Sequence, residues 1–158
     1  MKHLPKHLQP RWRYLAVAIE TWPDATLSRR AFQRELWYAT QNLLGDRGSA
    51  ETDMTVLRFA HGDGVGHAIV RVRRGQTDDA RAALACLDSV DDTPVGVRVT
   101  GTSGTVRACE EKYIRGPAKS PGQRHVVFEN ADRDAVTRDR RVDVCIDGAF
   151  VGATDLDI

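Results

Sequence analysis

Arginine and aromatic side chains alternate at the start of the first apolar segment, as the pattern RWRY at residues 11–14. Guanidinium groups bind phosphate oxygens in a bidentate manner, and aromatic rings stack on nucleobases. A second pair of arginines, Arg71 and Arg73, ends a later apolar segment. These residue types favour a nucleic-acid surface, with edge protection and solvated charge as the alternative interpretation.

A second candidate site is the segment GTSGTV at residues 101–106. Hydroxyl residues between glycines at the start of a helix leave backbone N–H groups free to bind an anion. Arg107 and Lys112 follow directly. A phosphate of RNA could bind there, and a simple helix cap is the competing explanation.

Residue patterns for protein-borne catalysis or metal binding are missing from the sequence. The loop GDGVG at residues 62–66 joins two predicted strands, so it fits a hairpin better than a phosphate-binding loop. His61 and His67 flank this loop without an acidic cluster at ligand spacing. The three cysteines lie far apart without a CxxC pair, and we expect them to be small buried apolar residues. We therefore expect neither catalytic groups nor a cofactor or metal bound by the protein itself.

The elements that must position these residues follow from apolar periodicity. Residues 11–20 predict a strand that is apolar on both faces, which places it in the middle of a sheet. The remaining patterns predict, in chain order, a helix ending at Gly45, strands over 54–60 and 67–73, a helix over 77–87, a strand over 95–100 and a short helix over 106–113.

This order predicts an α+β fold of the split βαβ kind, as in ferredoxin-like and RRM-like domains. We expect a four-stranded antiparallel sheet in the order 4-1-3-2, with both main helices on one face. Side-chain parity then puts alternate residues such as Leu15, Val17 and Val70 under the helices. The opposite face should carry the RNA platform, which consists of Trp12, Tyr14, His67, Arg71, Arg73 and Arg98, with Arg58 beside them. Its small residues, Ala16 and Ala18, suggest close approach by RNA or by a partner protein.

Four regions divide the chain: a basic arm over 1–10, the RRM-like domain over 11–115, a Pro/Gly/Ser linker over 116–124 and an extension over 125–158. In the extension we expect a weak strand over 125–129, a charged stretch over 132–141 and a β-hairpin with an Asp-Gly turn at Asp147-Gly148. A lone hairpin is marginally stable, so the extension should dock on the first domain or on a partner.

Composition and charge indicate the cellular environment in which the protein works. The chain has 158 residues and a net charge of +1, and most of its 23 basic residues are arginine. No apolar run approaches the roughly 20 residues of a membrane span, and no signal-peptide pattern is present, so we expect a cytoplasmic protein without membrane partners. The arginine- and aspartate-rich composition suits a high-salt cytoplasm, where bidentate arginine contacts persist better than long-range attraction.

Three stretches carry a family resemblance: HLPKHLQPRWRYLAV near the N-terminus, the strand AIVRVRR, and VRVTGTSGTVRACEEKYI. They resemble archaeal ribonuclease P protein component 2, the Pop-five family, over roughly residues 1–115. The composition and the C-terminal extension resemble its haloarchaeal members. The family's basic and signature positions correspond to Arg11, Arg13, Tyr14, Arg71, Arg73, Ser103, Gly104, Thr105 and Arg107.

The resemblance implies a protein subunit of ribonuclease P, the ribonucleoprotein that removes 5′ leaders from precursor tRNA. It implies that the RNA component carries the chemistry and its Mg²⁺ ions, and that the protein supports that RNA. The implied protein partners are the TIM-barrel-like component 3, other protein subunits of the complex and a second copy of the chain. The stacking aromatics of an RRM are missing from strand 67–73, which favours contacts to RNA shape and phosphates.

Two other functions remain open from the residues alone. One is a stand-alone RRM-like protein that binds single-stranded RNA. The other is a small enzyme of the acylphosphatase type, which would use an arginine and the anion site at residues 101–106.

Overall fold

The computed structural model describes residues 4–115, 121–154 and 156–158, and this part of the chain forms two four-stranded antiparallel β-sheets, one two-stranded sheet and three α-helices. In chain order the elements are a 3₁₀ turn (Lys6–Leu8), β1 (Trp12–Glu20), α1 (Arg29–Thr52), β2 (Thr55–Gly62), β3 (Val65–Arg73), α2 (Thr77–Ala85), β4 (Ser89–Val90), β5 (Thr93–Pro94), β6 (Gly96–Ser103), α3 (Val106–Cys109) with a π-helical turn (Glu110–Ile114), β7 (Gly122–Phe128), β8 (Ala131–Arg138), β9 (Arg141–Ile146) and β10 (Ala149–Ala153). The predicted α+β class is confirmed.

Strand β1 lies inside the main sheet, whose order is β2-β3-β1-β6. It pairs antiparallel with β3 from Trp12 opposite Arg73 to Glu20 opposite Val65. Its pairing with β6 shifts by one residue between Ala16 and Val17, as in a β-bulge. The predicted central position of this strand is confirmed.

The main core lies between one face of this sheet and helices α1 and α2. Leu15, Val17 and Val70 are buried there, and Phe32 and Leu84 pack on them from the two helices. This is the face that alternation along the strands predicts. Ser28 caps α1 by accepting a hydrogen bond from the backbone N–H of Ala31 at 3.1 Å.

The opposite face is covered in its middle by α3 and the π-helical turn. Cys109 is buried there against Ala16 and Ile69, with Tyr113 packed beside them. The interpretation that small alanines mark the approach of RNA or a partner is wrong at Ala16, because the chain's own segment fills that space. Periodicity along β1 cannot reveal which element covers a face.

Helix α1 does not end at Gly45, where we expected a loop to begin. Gly45 has left-handed φ (73°) and interrupts the helix, which then resumes through the expected loop residues and ends at Thr52. Asp53, also in left-handed conformation, closes it by donating its backbone N–H to the carbonyl oxygen of Ser49. The glycine is therefore a kink. In α2, Thr77 is the first helical residue, and the N-cap is Gln76, without a side-chain hydrogen bond.

The C-terminal extension is a four-stranded sheet in the order β10-β9-β8-β7, larger than the hairpin we expected. The expected charged stretch is mostly strand β8: its first half is mostly charged, but Ala135 and Val136 in its middle are both buried, on opposite faces of the strand. Strand β7 begins at Gly122, before the expected weak strand. Residues 116–120 of the predicted linker and 1–3 of the predicted arm lie outside the described residues.

A buried arginine joins the two sheets, as docking of the extension on the first domain requires. Arg138 of β8 donates to the carbonyl oxygen of Gly64 at 3.0 Å and to that of Thr21. Its Nε also lies 2.8 Å from the carboxylate of Asp143. The rings of Trp22 and Phe150 stack with centroids 5.5 Å apart, which adds an apolar contact between the domains.

The cysteines differ in exposure. Cys109 is buried and Cys145 is half-buried, but Cys86 is exposed, which corrects the expectation that all three are buried. Cys86 sits at the C-terminal cap of α2, on the solvent side of the helix. None of the helices within the described ranges is long and apolar enough to cross a membrane.

Candidate nucleic-acid interface

Antiparallel pairing brings the start of β1 beside the end of β3, so the two arginine-rich stretches meet at one end of the sheet. Trp12 lies opposite Arg73, and Tyr14 lies opposite Arg71. The guanidinium carbon of Arg71 is 4.0 Å from the centroid of the Trp12 ring, and that of Arg73 is 5.2 Å away. Both distances are within cation–π range.

The two arginines differ in their other contacts. An Nη of Arg73 lies 3.3 Å from the carboxylate of Asp53, the capping residue of α1. Arg71 has a buried Nε without a hydrogen-bond partner in the described part of the chain. Arg71 is therefore held by the Trp12 ring, whereas Arg73 is held by the ring and by one carboxylate.

Arg11 and Arg13 extend the positive charge around the start of β1. The carbonyl oxygen of Arg11 accepts a hydrogen bond from the backbone N–H of Arg74 at 2.9 Å, which prolongs the pairing beyond β1. Arg13 reaches toward Gly104, where an added Cβ would lie 3.2 Å from its Nη1. Alternation along β1 puts Arg13 on the face opposite to Trp12 and Tyr14, next to the end of β6.

Tyr14 belongs to a different environment. It is half-buried and packs in the small cluster beneath α3. Its carbonyl oxygen accepts a long hydrogen bond from the Cys109 thiol at 3.7 Å. Burial, and secondarily the charge of Glu110, raises the pKa of Cys109. Tyr14 is therefore part of the internal packing of the protein.

The GTSGTV segment is shared between strand and helix. Residues up to Ser103 belong to β6, and Thr105 caps α3 by accepting from the backbone N–H of Ala108 at 3.1 Å. Arg107 is largely exposed and pairs with Glu111 at 3.0 Å. The glycine at 101 is needed because a Cβ there would overlap the ring of Tyr113. One glycine of the signature thus has a packing role.

Arg98 does not lie near Arg71, Arg73 and Trp12. It lies opposite Ala18, six residues along β1 from Trp12, which corresponds to about 20 Å. His67 is also opposite Ala18, on β3. Arg98 lines a groove of about 430 Å³ between the two sheets, together with Glu20 and Arg141. Arg58, which we also expected on this face, pairs with Glu110 at 3.1 Å and does not contact Trp12.

Two arginines that we did not assign to the interface lie beside it. Arg47 and Arg74 line a groove of about 490 Å³ with Arg73, bordered by Glu51. Arg74 could have been included because it follows Arg73 directly in the sequence. Arg47 could not, because its placement depends on the helix resuming after Gly45.

Within the described ranges, no three histidine, cysteine or acidic side chains are grouped so that they could hold a metal ion. Burial lowers the pKa of His61, whose Nε2 lies 2.9 Å from the hydroxyl of Thr21. This histidine thus helps to join β2 to the end of β1.

The arrangement defines a class of protein: a mixed α+β domain with an arginine-rich sheet end. The Rpp14/Pop5 family model matches residues 13–114. "Ribonuclease P protein component 2" of Haloarcula marismortui is 74% identical, and the match covers 99% of each chain. The protein of the same name in Natronomonas pharaonis is 63% identical over 100% of this chain and 98% of its own.

The chain therefore belongs to the Rpp14/Pop5 family, and the predicted function as a ribonuclease P protein subunit is confirmed. More distant relatives align over less of it: the Methanosarcina barkeri protein named "Ribonuclease P protein component 2" is 31% identical over 77% of this chain and 85% of its own. A chain in the cryo-EM structure of yeast ribonuclease MRP, 18% identical, covers 63% of this chain and 79% of its own, with a TM-score of 0.47.

Proposed function

We propose that the chain is a non-catalytic subunit that binds and supports the RNA component of a ribonuclease P in precursor-tRNA processing. The observation that carries this proposal is the arginine cluster at one end of the main sheet. The cluster consists of Arg71 and Arg73, which lie over the Trp12 ring, and of Arg11 and Arg13, which flank Trp12 in the chain. Four guanidinium groups, with Asp53 as the acid that pairs with Arg73, match a polyanion such as RNA.

The proposed metal ions and protein partners rest on membership of the family. The Mg²⁺ ions for cleavage would be held by the RNA, and the direct protein partner would be component 3 of the complex, with self-association as a further contact. The fold would be the ferredoxin-like, RRM-like variant, which the strand order β2-β3-β1-β6 supports. We place the complex in the cytoplasm.

The proposed RNA surface is the strand ends and not the flat face of the sheet. In RRM proteins the sheet face offers aromatic rings to unstacked bases. Here the middle of that face is covered by α3 and the π-helical turn, with Cys109 buried on Ala16 and Ile69. RNA contact would therefore concentrate on the arginines at the strand ends, beside the segment that covers the face.

Binding of a haloarchaeal ribonuclease P RNA to the full chain tests the proposal. The double variant R71A/R73A should weaken binding about tenfold or more and lower the slope of log K against log salt by about 1 to 2. The matched control is R81A/R140A, which removes the same charge from two exposed positions. Equal binding by wild type and R71A/R73A would overturn the placement of the interface.

A further inference from the structure

Arg71 and Arg73 both lie over the ring of Trp12. We propose that Trp12 is a positioning residue that holds Arg71 and Arg73 as a paired clamp for phosphates of the RNA backbone, and that it does not stack on a base. This inference rests on the proposed function and specifies its chemistry: the ligand of this site is the sugar–phosphate backbone.

Strand geometry makes the pairing possible. Residues 71 and 73 point to the same face of β3, separated by one strand repeat of roughly 7 Å. Trp12 stands directly opposite Arg73 and diagonal to Arg71, so that one indole serves both. A flexible arginine loses rotamer freedom when it binds a phosphate. Two arginines already ordered by a ring lose less, which strengthens binding.

The same contacts argue against base stacking on Trp12. A cation–π partner lies over the face of the aromatic ring, which is also the surface that a base would use. With the guanidinium carbon of Arg71 at 4.0 Å from the centroid, that face is already occupied. A base would have to displace an arginine in order to stack there.

The clamp keeps its phosphate-binding groups available. The Nε of Arg71 is buried, but its two Nη groups form no hydrogen bond or ion pair with the described residues, and Arg73 gives one Nη to Asp53 at 3.3 Å. The groove beside Arg73 continues to Arg74 and to Arg47, whose Nε lies 2.9 Å from the carboxylate of Glu51, so Arg74 is the further cation that this groove offers to a phosphate chain. The arrangement selects for charge spacing and not for base identity.

A double-mutant cycle tests the proposal on the full chain, with transcribed ribonuclease P RNA of Haloarcula marismortui as the probe and fluorescence anisotropy over a series of KCl concentrations. The variants are W12L, W12F, R71A/R73A and the triple variant W12L/R71A/R73A. W12L should weaken binding about two- to tenfold and lower the salt slope, because the guanidinium groups lose their platform. W12F should bind like wild type, since it retains an aromatic face.

The triple variant gives the decisive comparison. If Trp12 acts through the arginines, W12L adds nothing to R71A/R73A. If W12L lowers RNA affinity by the same factor in wild type and in R71A/R73A, and leaves the salt slope unchanged, then Trp12 stacks on a base and the proposal is overturned. Failure of the proposed function has a different signature, because R71A/R73A would then bind like wild type.

A further variant keeps the test valid if W12L does not fold, as judged by circular dichroism. R71K/R73K retains both charges but lacks the planar groups that stack on an indole. We expect it to bind more weakly than wild type while keeping the wild-type salt slope, because both charges remain. Wild-type affinity of R71K/R73K would show that charge alone suffices, and would overturn the role of Trp12.

Discussion

The ring of Tyr113 lies on the backbone of Gly101, in the space that a Cβ at position 101 would occupy. This contact fastens the π-helical turn to the main sheet and closes the face that β1 would otherwise expose. It joins the signature segment to the internal packing of the protein, because Gly101 is the first residue of GTSGTV.

Replacement of Gly101 by alanine should force the Tyr113 ring off the sheet. We expect G101A to lower the free energy of unfolding by about 1–3 kcal/mol, the usual cost of overpacking, measured by urea denaturation. The control is G152A, also within a strand, where a Cβ would have no heavy atom within 4 Å. The loss should shrink in a Y113A background; an equal loss there would mean that the strain lies elsewhere.

The buried arginine that joins the two sheets should be a large contributor to stability. R138M leaves the carbonyl oxygen of Thr21 without the guanidinium donor, leaves that of Gly64 with only the backbone N–H of Thr21, and removes the partner of Asp143. Breaking a buried charged network costs about 3–5 kcal/mol, and urea denaturation measures it. The adjacent exposed residue provides the comparison: R140M should change stability by about 0.5 kcal/mol or less. Similar effects of the two substitutions would contradict the proposed junction.

His61 should make stability depend on pH. Burial lowers its pKa from 6.5, so the folded state binds a proton less readily than the unfolded state. The unfolded chain therefore holds more protons just below pH 6.5, and stability should fall as the pH drops through this range. In H61Q this slope should be reduced, whereas H7Q, at an exposed position in the 3₁₀ turn, should keep it. Parallel pH profiles of H61Q and wild type would exclude His61 as the cause.

Much of the main sheet could be predicted because alternation has a period of two. Once Leu15 and Val17 are assigned to the core, the parity of Arg71 and Arg73 follows, and the antiparallel register brings them to Trp12. That part of the candidate site depends only on neighbouring strands. The position of Arg98 at the far end of the sheet depends on the length of β1, which the prediction did not use.

The missed features depend on contacts between distant segments. Nothing in the periodicity of Val106, Cys109 and Tyr113 says that they cover the sheet face opposite the main helices. The many charged residues of 132–141 predict a solvated stretch and hide strand β8, because a buried arginine such as Arg138 is understood only when its acceptors on another domain are known. Long-range pairing of polar groups has no local signal in the sequence.

Support of a catalytic RNA by this chain can be measured by cleavage of a precursor tRNA as Mg²⁺ is titrated. A haloarchaeal ribonuclease P RNA would be assayed with component 3 alone and with component 3 plus this chain. We predict that the chain lowers the Mg²⁺ concentration needed for 5′-leader removal, and that R71A/R73A reduces this effect while R81A/R140A retains it. An unchanged Mg²⁺ requirement with the wild-type chain present would contradict the account.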